Sequence, residues 1–181
     1  MNRDCLGRIQ IYTGAGRGKS SSALGLALRM LGAGGSVWLF AFMKDHSAAE
    51  YQVLDRLAPA FNYRCANDIK QPWFDWQDQE QQRQTCRCYL NVWQEMMALL
   101  SRNPPHLLIV DEISYLLSYK IIEREQVLGL LDFCRLNQVE LILTGRDMPD
   151  FLLAVADLVS EIQMVKHPLQ QGIGARVGID C

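Results

Sequence analysis

Residues Thr13-Gly14-Ala15-Gly16-Arg17-Gly18-Lys19-Ser20-Ser21 combine three glycines, a lysine and two hydroxyls in nine positions. That is the chemistry of anion binding. Glycines let successive backbone N–H groups turn inward and form a concavity for oxyanions. Lys19 adds a point charge suited to phosphate, and Ser20 offers a hydroxyl oxygen to a hard cation such as magnesium. The flanks supply the context such a loop needs. Ile9-Gln10-Ile11-Tyr12 precedes it as a short apolar strand. Ala23-Leu24, Ala27-Leu28 and Leu31 follow at helical spacing. A helix beginning at the loop contributes its unpaired N–H donors and the positive end of its dipole.

The spacing is unusual. In G-x-x-x-x-G-K-[ST] the first glycine falls where this chain has Thr13. Gly14 leads instead, with three residues before Gly18. The loop is expected to hold phosphates, in a pose that need not be that of a hydrolase. A second acidic motif answers it. Leu107-Leu108-Ile109-Val110-Asp111-Glu112 is an apolar strand ending in two carboxylates, the Walker B pattern, which can hold magnesium directly or through water. The acidic motif alone is weak, but paired with the loop it is strong, and the two together indicate a nucleoside triphosphate and magnesium. They leave open which bond breaks, because Glu112 could also orient a water for hydrolysis.

The elements that must position these residues alternate. A helix is expected from about Gly18 to Leu31, stopped by Gly32-Ala33-Gly34-Gly35, and Val37–Met43 reads as a strand covered on both faces. Lys44 lies at that strand's end, either a second phosphate contact or an exposed lysine. A helix over Ala48–Leu57 and a short strand over Phe61–Cys65 follow. An irregular stretch, Ala66–Gln71, leads into Pro72-Trp73-Phe74-Asp75-Trp76, then a long helix from about Gln77 to Ser101. After the Val110-Asp111 strand come a helical region over Ile113–Asn137, interrupted near Tyr119, and a strand over Val139–Thr144. A helix from Pro149 to Ala156, a strand over Leu158–Val165 and a glycine-rich tail complete the chain. This order predicts an α/β fold of the P-loop, RecA-like kind, its mostly parallel central sheet flanked by helices. Residues 1–181 read as a single nucleotide-binding domain.

Composition narrows the class. Apolar residues make up 49% and charged residues 21%, the proportions of an ordinary globule, and a net charge of -2 gives no electrostatic case for nucleic acid. No run is long enough to span a membrane, and no apolar signal segment precedes the first strand, so the cytoplasm is the expected location. Of the six cysteines, Cys86 and Cys88 have one residue between them, which is not a zinc spacing. They read as helix residues.

The chain resembles the P-loop ATP:corrinoid adenosyltransferases. The resemblance lies in Tyr12–Ser21, Phe42-Met43-Lys44, Val110-Asp111-Glu112-Ile113 and Thr144-Gly145-Arg146. Its most specific part is Ala156-Asp157-Leu158-Val159-Ser160-Glu161, followed by Val165-Lys166-His167-Pro168, Gly172-Ile173, Ala175 and Gly178-Ile179. The family shares the shortened loop and binds ATP with its triphosphate reversed relative to hydrolases. The resemblance implies transfer of the 5′-deoxyadenosyl group of ATP to cobalt(I) of a corrinoid, with release of triphosphate. It implies that Gly14, Ala15, Gly16, Arg17, Gly18, Lys19, Ser20 and Ser21 bind ATP together with Arg146, and that Lys19 and Glu112 are catalytic. Magnesium falls to Ser20 and Glu112, with Asp111 in support.

In this family an aromatic loop packs under the corrin and excludes its lower ligand, so the resemblance implies a corrinoid-binding role for Trp73 and Phe74, with Trp76 close by. An apolar cluster or a dimer contact is the alternative reading of these aromatics. A homodimer and a reductase supplying electrons are implied in the same way. Asp45 stands where the family often has glycine, Arg176 where glutamine is common, and Ser20-Ser21 replace the usual threonines. The chain opens near its first strand, without the N-terminal extension of some relatives, so corrinoid access or affinity is expected to differ. The competing function is a small RecA-like ATPase acting with a protein partner. A module that binds ATP or corrinoid without turnover is the third.

Overall fold

The computed structural model describes residues 1–45, 49–67 and 78–179. Among these residues, six strands form one sheet: β1 (Ile9–Thr13), β2 (Val37–Asp45), β3 (Phe61–Asn67), β4 (Leu107–Asp111), β5 (Glu140–Thr144) and β6 (Leu158–Glu161). Their order is β3-β2-β4-β5-β1-β6, and every neighbouring pair is parallel. The helices are α1 (Lys19–Gly32), α2 (Ala49–Leu54), α3 (Gln79–Arg102), α4 (Ile113–Ser118), α5 (Arg124–Leu136) and α6 (Asp150–Val155). The α/β architecture with a parallel sheet is as the alternating pattern requires.

Alternate residues of the central strands enter opposite cores. Leu108 and Val110 of β4 pack with Tyr89, Trp93 and Met96 of α3 and with Leu130 and Leu131 of α5. Leu107 and Ile109 pack on the other face with Ala23 and Ala27 of α1 and Tyr51 of α2. The period of two along a strand produces this division. The buried side of α1 is Lys19, Ala23, Ala27 and Met30. Its alanines let the helix lie close to the sheet, which brings Lys19 and Ser20 to the carboxyl ends of the strands.

Boundaries shift where local chemistry intervenes. Asp78 accepts from the N–H groups of Glu80 (2.9 Å) and Gln81 (3.2 Å), so α3 begins at Gln79. The 113–137 region divides after Ser118, at the expected interruption. The helix expected to reach Leu57 gives way after Leu54 to a 3₁₀ turn over Asp55–Leu57. β6 ends at Glu161, short of Val165, because the chain then crosses the glycine loop. There the Ile162 N–H donates to the Thr13 carbonyl (2.8 Å), and the Ile162 carbonyl accepts from the Gly16 N–H (2.6 Å). Among the described residues, no helix is long and apolar enough to cross a membrane.

Candidate active site

The loop after β1 is shaped for close approach. Gly14 has φ +98 and Gly18 has φ +116, in the region favouring glycine. A Cβ on Gly14 or Gly16 would lie 2.5 Å from the Ile162 carbonyl oxygen. The loop is thus cradled from behind by the segment that follows β6. Lys19 folds over it: its Nζ donates to the carbonyls of Gly14 (2.8 Å) and Gly16 (2.9 Å), and the residue is 7% exposed. Burial lowers the Lys19 pKa, with Arg146 acting in the same direction and the charges of Glu112 and Asp111 opposing. An ammonium held this way is partly desolvated, which strengthens its attraction for an arriving anion.

β4 and β5 bring the second half. Asp111 ends β4 at 2% exposure. Its carboxylate accepts from the Ser20 hydroxyl (2.9 Å to Oδ1, 3.0 Å to Oδ2) and from the Thr144 hydroxyl. Lys44 Nζ stands 2.8 Å from Oδ2. Thr144 ends β5, the strand between β4 and β1 in the sheet, and its oxygen also accepts the Glu112 N–H (3.0 Å). Glu112 has φ 62 and ψ 35, turning the chain sharply from β4 into α4. Its Oε2 is buried and has no hydrogen-bond partner among the described residues. Burial raises the Glu112 pKa and the adjacent Asp111 adds to the rise. Lys19, Lys44 and Arg146 pull it back.

These carboxylates have different capacities. Asp111 is saturated by two hydroxyls and an ammonium. Glu112 keeps an acceptor open. Ser20, donating its hydrogen bond to Asp111, retains oxygen lone pairs. Two hard oxygen donors, Ser20 Oγ and Glu112 Oε2, suit a hard divalent cation completing its shell with water and phosphate oxygens. Among the described residues no group of three or more His, Cys, Asp or Glu could hold a metal alone. Cys86 and Cys88 both lie on α3, and Cys88 Sγ donates to the Ala66 carbonyl (2.9 Å).

The structure thus brings Lys19, Ser20, Lys44, Asp111, Glu112 and Arg146 to one sheet edge, Arg146 through its charge on Lys19 and Glu112. The rest of the loop is less uniform. Ala15 and Ser21 are exposed, the Gly16 N–H is engaged by Ile162, and the Arg17 guanidinium donates to the Ile179 carbonyl in the tail. Trp73 and Phe74, with Trp76, lie outside the described residues. Thr144 is the member whose task the sequence did not disclose. A hydroxyl ending an apolar strand was the available signal.

A model of the family described as ATP:corrinoid adenosyltransferase BtuR/CobO/CobP matches residues 6–181. The chain belongs to this family. It is 31% identical over 179 residues to a corrinoid adenosyltransferase of Escherichia coli K12, covering 98% of this chain and 87% of that one. It is also 31% identical over 175 residues to the corrinoid adenosyltransferase CobA of Salmonella typhimurium LT2, covering 96% and 85%. Among solved structures, the flagellar accessory protein FlaH of Methanocaldococcus jannaschii superposes with a TM-score of 0.57 at 13% identity, covering 86% of this chain and 71% of that one. That likeness concerns the fold alone. Membership in the adenosyltransferase family gives the abbreviated glycine loop its natural setting and disfavours the hydrolase alternative.

Proposed function

We propose that this chain transfers the 5′-deoxyadenosyl group of ATP to cobalt(I) of a corrinoid, releasing triphosphate. The observation that carries this reading is the cluster at the loop, where Lys19 and Ser20 face one saturated and one open carboxylate within a chain of this family. In the reaction an electron pair on cobalt forms the bond to C5′ of ATP. The C5′–O bond breaks, and triphosphate departs with its electrons. The nucleophile has no proton to lose, so no general base is required. A site whose Asp111 is fully engaged by donors is compatible with that chemistry.

The protein's tasks are positioning and charge stabilisation. The loop amides and Lys19 hold the triphosphate as negative charge grows on it, and Arg146 adds charge from the end of β5. When bound, magnesium supplies further positive charge to the leaving group. Ser20 and Glu112 would hold it, with Asp111 fixing Ser20 from behind. Trp73 and Phe74 are assigned to the lower face of the corrinoid on the family resemblance. Reducing cobalt(II) to cobalt(I) takes one electron, which a reductase would supply. Exposed Leu158 and Val159 on β6, with Val165, Leu169 and Val177 in the tail, support pairing with a second copy. The cytoplasm, where such reductants occur, is the proposed location.

The test is an anaerobic incubation of the protein with ATP and chemically reduced cobalamin. A light-sensitive alkylcobalt spectrum that requires ATP is the expected result. A corrinoid spectrum unchanged by ATP and protein would overturn the proposal.

A further inference from the structure

Lys44 has no task in the reaction as described, yet its placement is over-determined. The pairing of β2 with β3 shifts register between Ala41 and Asp45, and Met43 inside that irregularity has φ 59. A bulky side chain rarely adopts such a backbone, and it persists only where surroundings enforce it. Tyr89 of α3 enforces it here. The Tyr89 hydroxyl accepts the Met43 N–H (3.2 Å) and donates to Met43 Sδ (3.2 Å), while its ring meets Phe42 edge-on at 5.6 Å. A bulge re-aims the side chains beside it. The residue it re-aims is Lys44, whose ammonium lies 2.8 Å from Asp111 Oδ2. The Lys44 side chain is 27% exposed and that of Asp111 is 3% exposed, so the lysine has a path to solvent and the carboxylate has almost none.

The charge balance gives this pair its meaning. Three carboxylates, Asp111, Glu112 and the crevice-lining Glu50, stand against three cations, Lys19, Lys44 and Arg146. The carboxylates are matched by cations before anything binds. A divalent cation approaching Ser20 and Glu112 meets repulsion from these cations, the ammonium already seated on Asp111 among them. A triphosphate reverses that balance. Lysine, a compact charge on a flexible stem, is also the cationic side chain best able to move aside.

We propose that Lys44 is a built-in stand-in for the divalent cation. In the nucleotide-free chain its ammonium neutralises Asp111 and repels a cation arriving at Ser20 and Glu112, so cation binding is weak until triphosphate enters. The role is one of positioning and order of binding, and it rests on the cation site proposed above.

The experiment titrates the nucleotide-free full chain with Mn2+ alone and reads bound metal by electron paramagnetic resonance. Lys44→Met should bind Mn2+ at least tenfold more tightly than the parent, and Lys44→Arg should behave as the parent. Adding Ser20→Ala to Lys44→Met should erase the gain. Lys44→Gln substitutes where the methionine variant melts early. Arg146→Met, which removes a charge that does not touch Asp111, should give a smaller gain. Equal gains from Arg146→Met and Lys44→Met would reduce Lys44 to background charge and overturn the proposal. Unchanged, weaker or unmeasurable Mn2+ binding by Lys44→Met would overturn it as well. If that happens while Ser20→Ala and Glu112→Gln still weaken Mn2+ binding in the presence of ATP, the cation site stands and only the stand-in role falls. If neither variant alters Mn2+ binding with ATP, the cation site itself is wrong.

Discussion

β4 is buried along its whole length, whereas every residue of β6 is exposed, although both belong to one parallel sheet. Composition separates them only in part, since both open on apolar residues, Leu107-Leu108-Ile109-Val110 and Leu158-Val159. Position does the rest. β4 has a strand on each side and a core on each face, so Asp111 emerges into a desolvated crevice where each partner matters. Among the described residues, β6 pairs with β1 alone and leaves its other edge open. An open apolar edge invites association. The centre of this sheet carries the charged chemistry. Its rim supports the loop from behind, through Ile162, and offers surface.

If that contrast is right, substitutions at the centre should be costly in activity or stability, and those on the rim should not. The largest effect is expected from Lys19→Ala. Turnover should fall on the order of a hundredfold or more, because a charge-assisted donor is lost where negative charge develops. Steady-state rates measure this, with melting temperature close to that of the parent as the control.

Thr144→Val should come next. It leaves one Asp111 oxygen short of a donor and the Glu112 N–H without its acceptor. A loss of roughly 1–3 kcal/mol is expected in urea unfolding, the usual cost of orphaning buried polar groups. A neutral outcome would show that water replaces the hydroxyl and that the centre is wetter than described.

Glu112→Gln should act in the opposite sense on stability. Burial raises the Glu112 pKa above its ordinary 4.5 and Asp111 adds to the rise, so the folded chain holds this proton more tightly than the unfolded chain does. From 4.5 upward through the raised folded value, the folded state binds more protons and stability falls as pH rises. The amide removes that loss. Without nucleotide or metal, the variant should melt higher than the parent near neutral pH, and the two should converge below the ordinary glutamate range. Melting curves across pH measure it, and parallel curves would mean the carboxylate is solvated.

The smallest effect belongs to the rim. Leu158→Ser should change stability by no more than about 0.5 kcal/mol, as exposed substitutions usually do. Its consequence should appear instead in sedimentation, as weakened self-association. A large loss of monomer stability would make β6 part of the core and erase the contrast.

The legibility of the sequence divides along the same line. β4, β5 and α1 were plain because continuous apolar runs and alanine spacing reflect burial on two faces and on one. The placement of the loop and both carboxylates at strand ends was plain, because a strand–loop–helix order and an apolar run ending in acids fix it. The capture of Asp111 by Lys44 was not, since it depends on a left-handed Met43 held by Tyr89, 46 residues away in the chain. The end of β6 was not, because Ile162 to Val165 continue an apolar pattern while the backbone leaves the sheet to meet Gly16. Period and composition register local preference. They do not register a hydrogen bond between distant segments.

The most direct test of the central claim is the identity of the phosphate product. The protein, ATP, magnesium and anaerobic cobalt(I) corrinoid are combined, and the products are followed by phosphorus NMR. Intact inorganic triphosphate should appear in equal amount to the alkylcobalt formed, and only when corrinoid is present. Orthophosphate released with or without corrinoid would contradict the account and make this site a hydrolase.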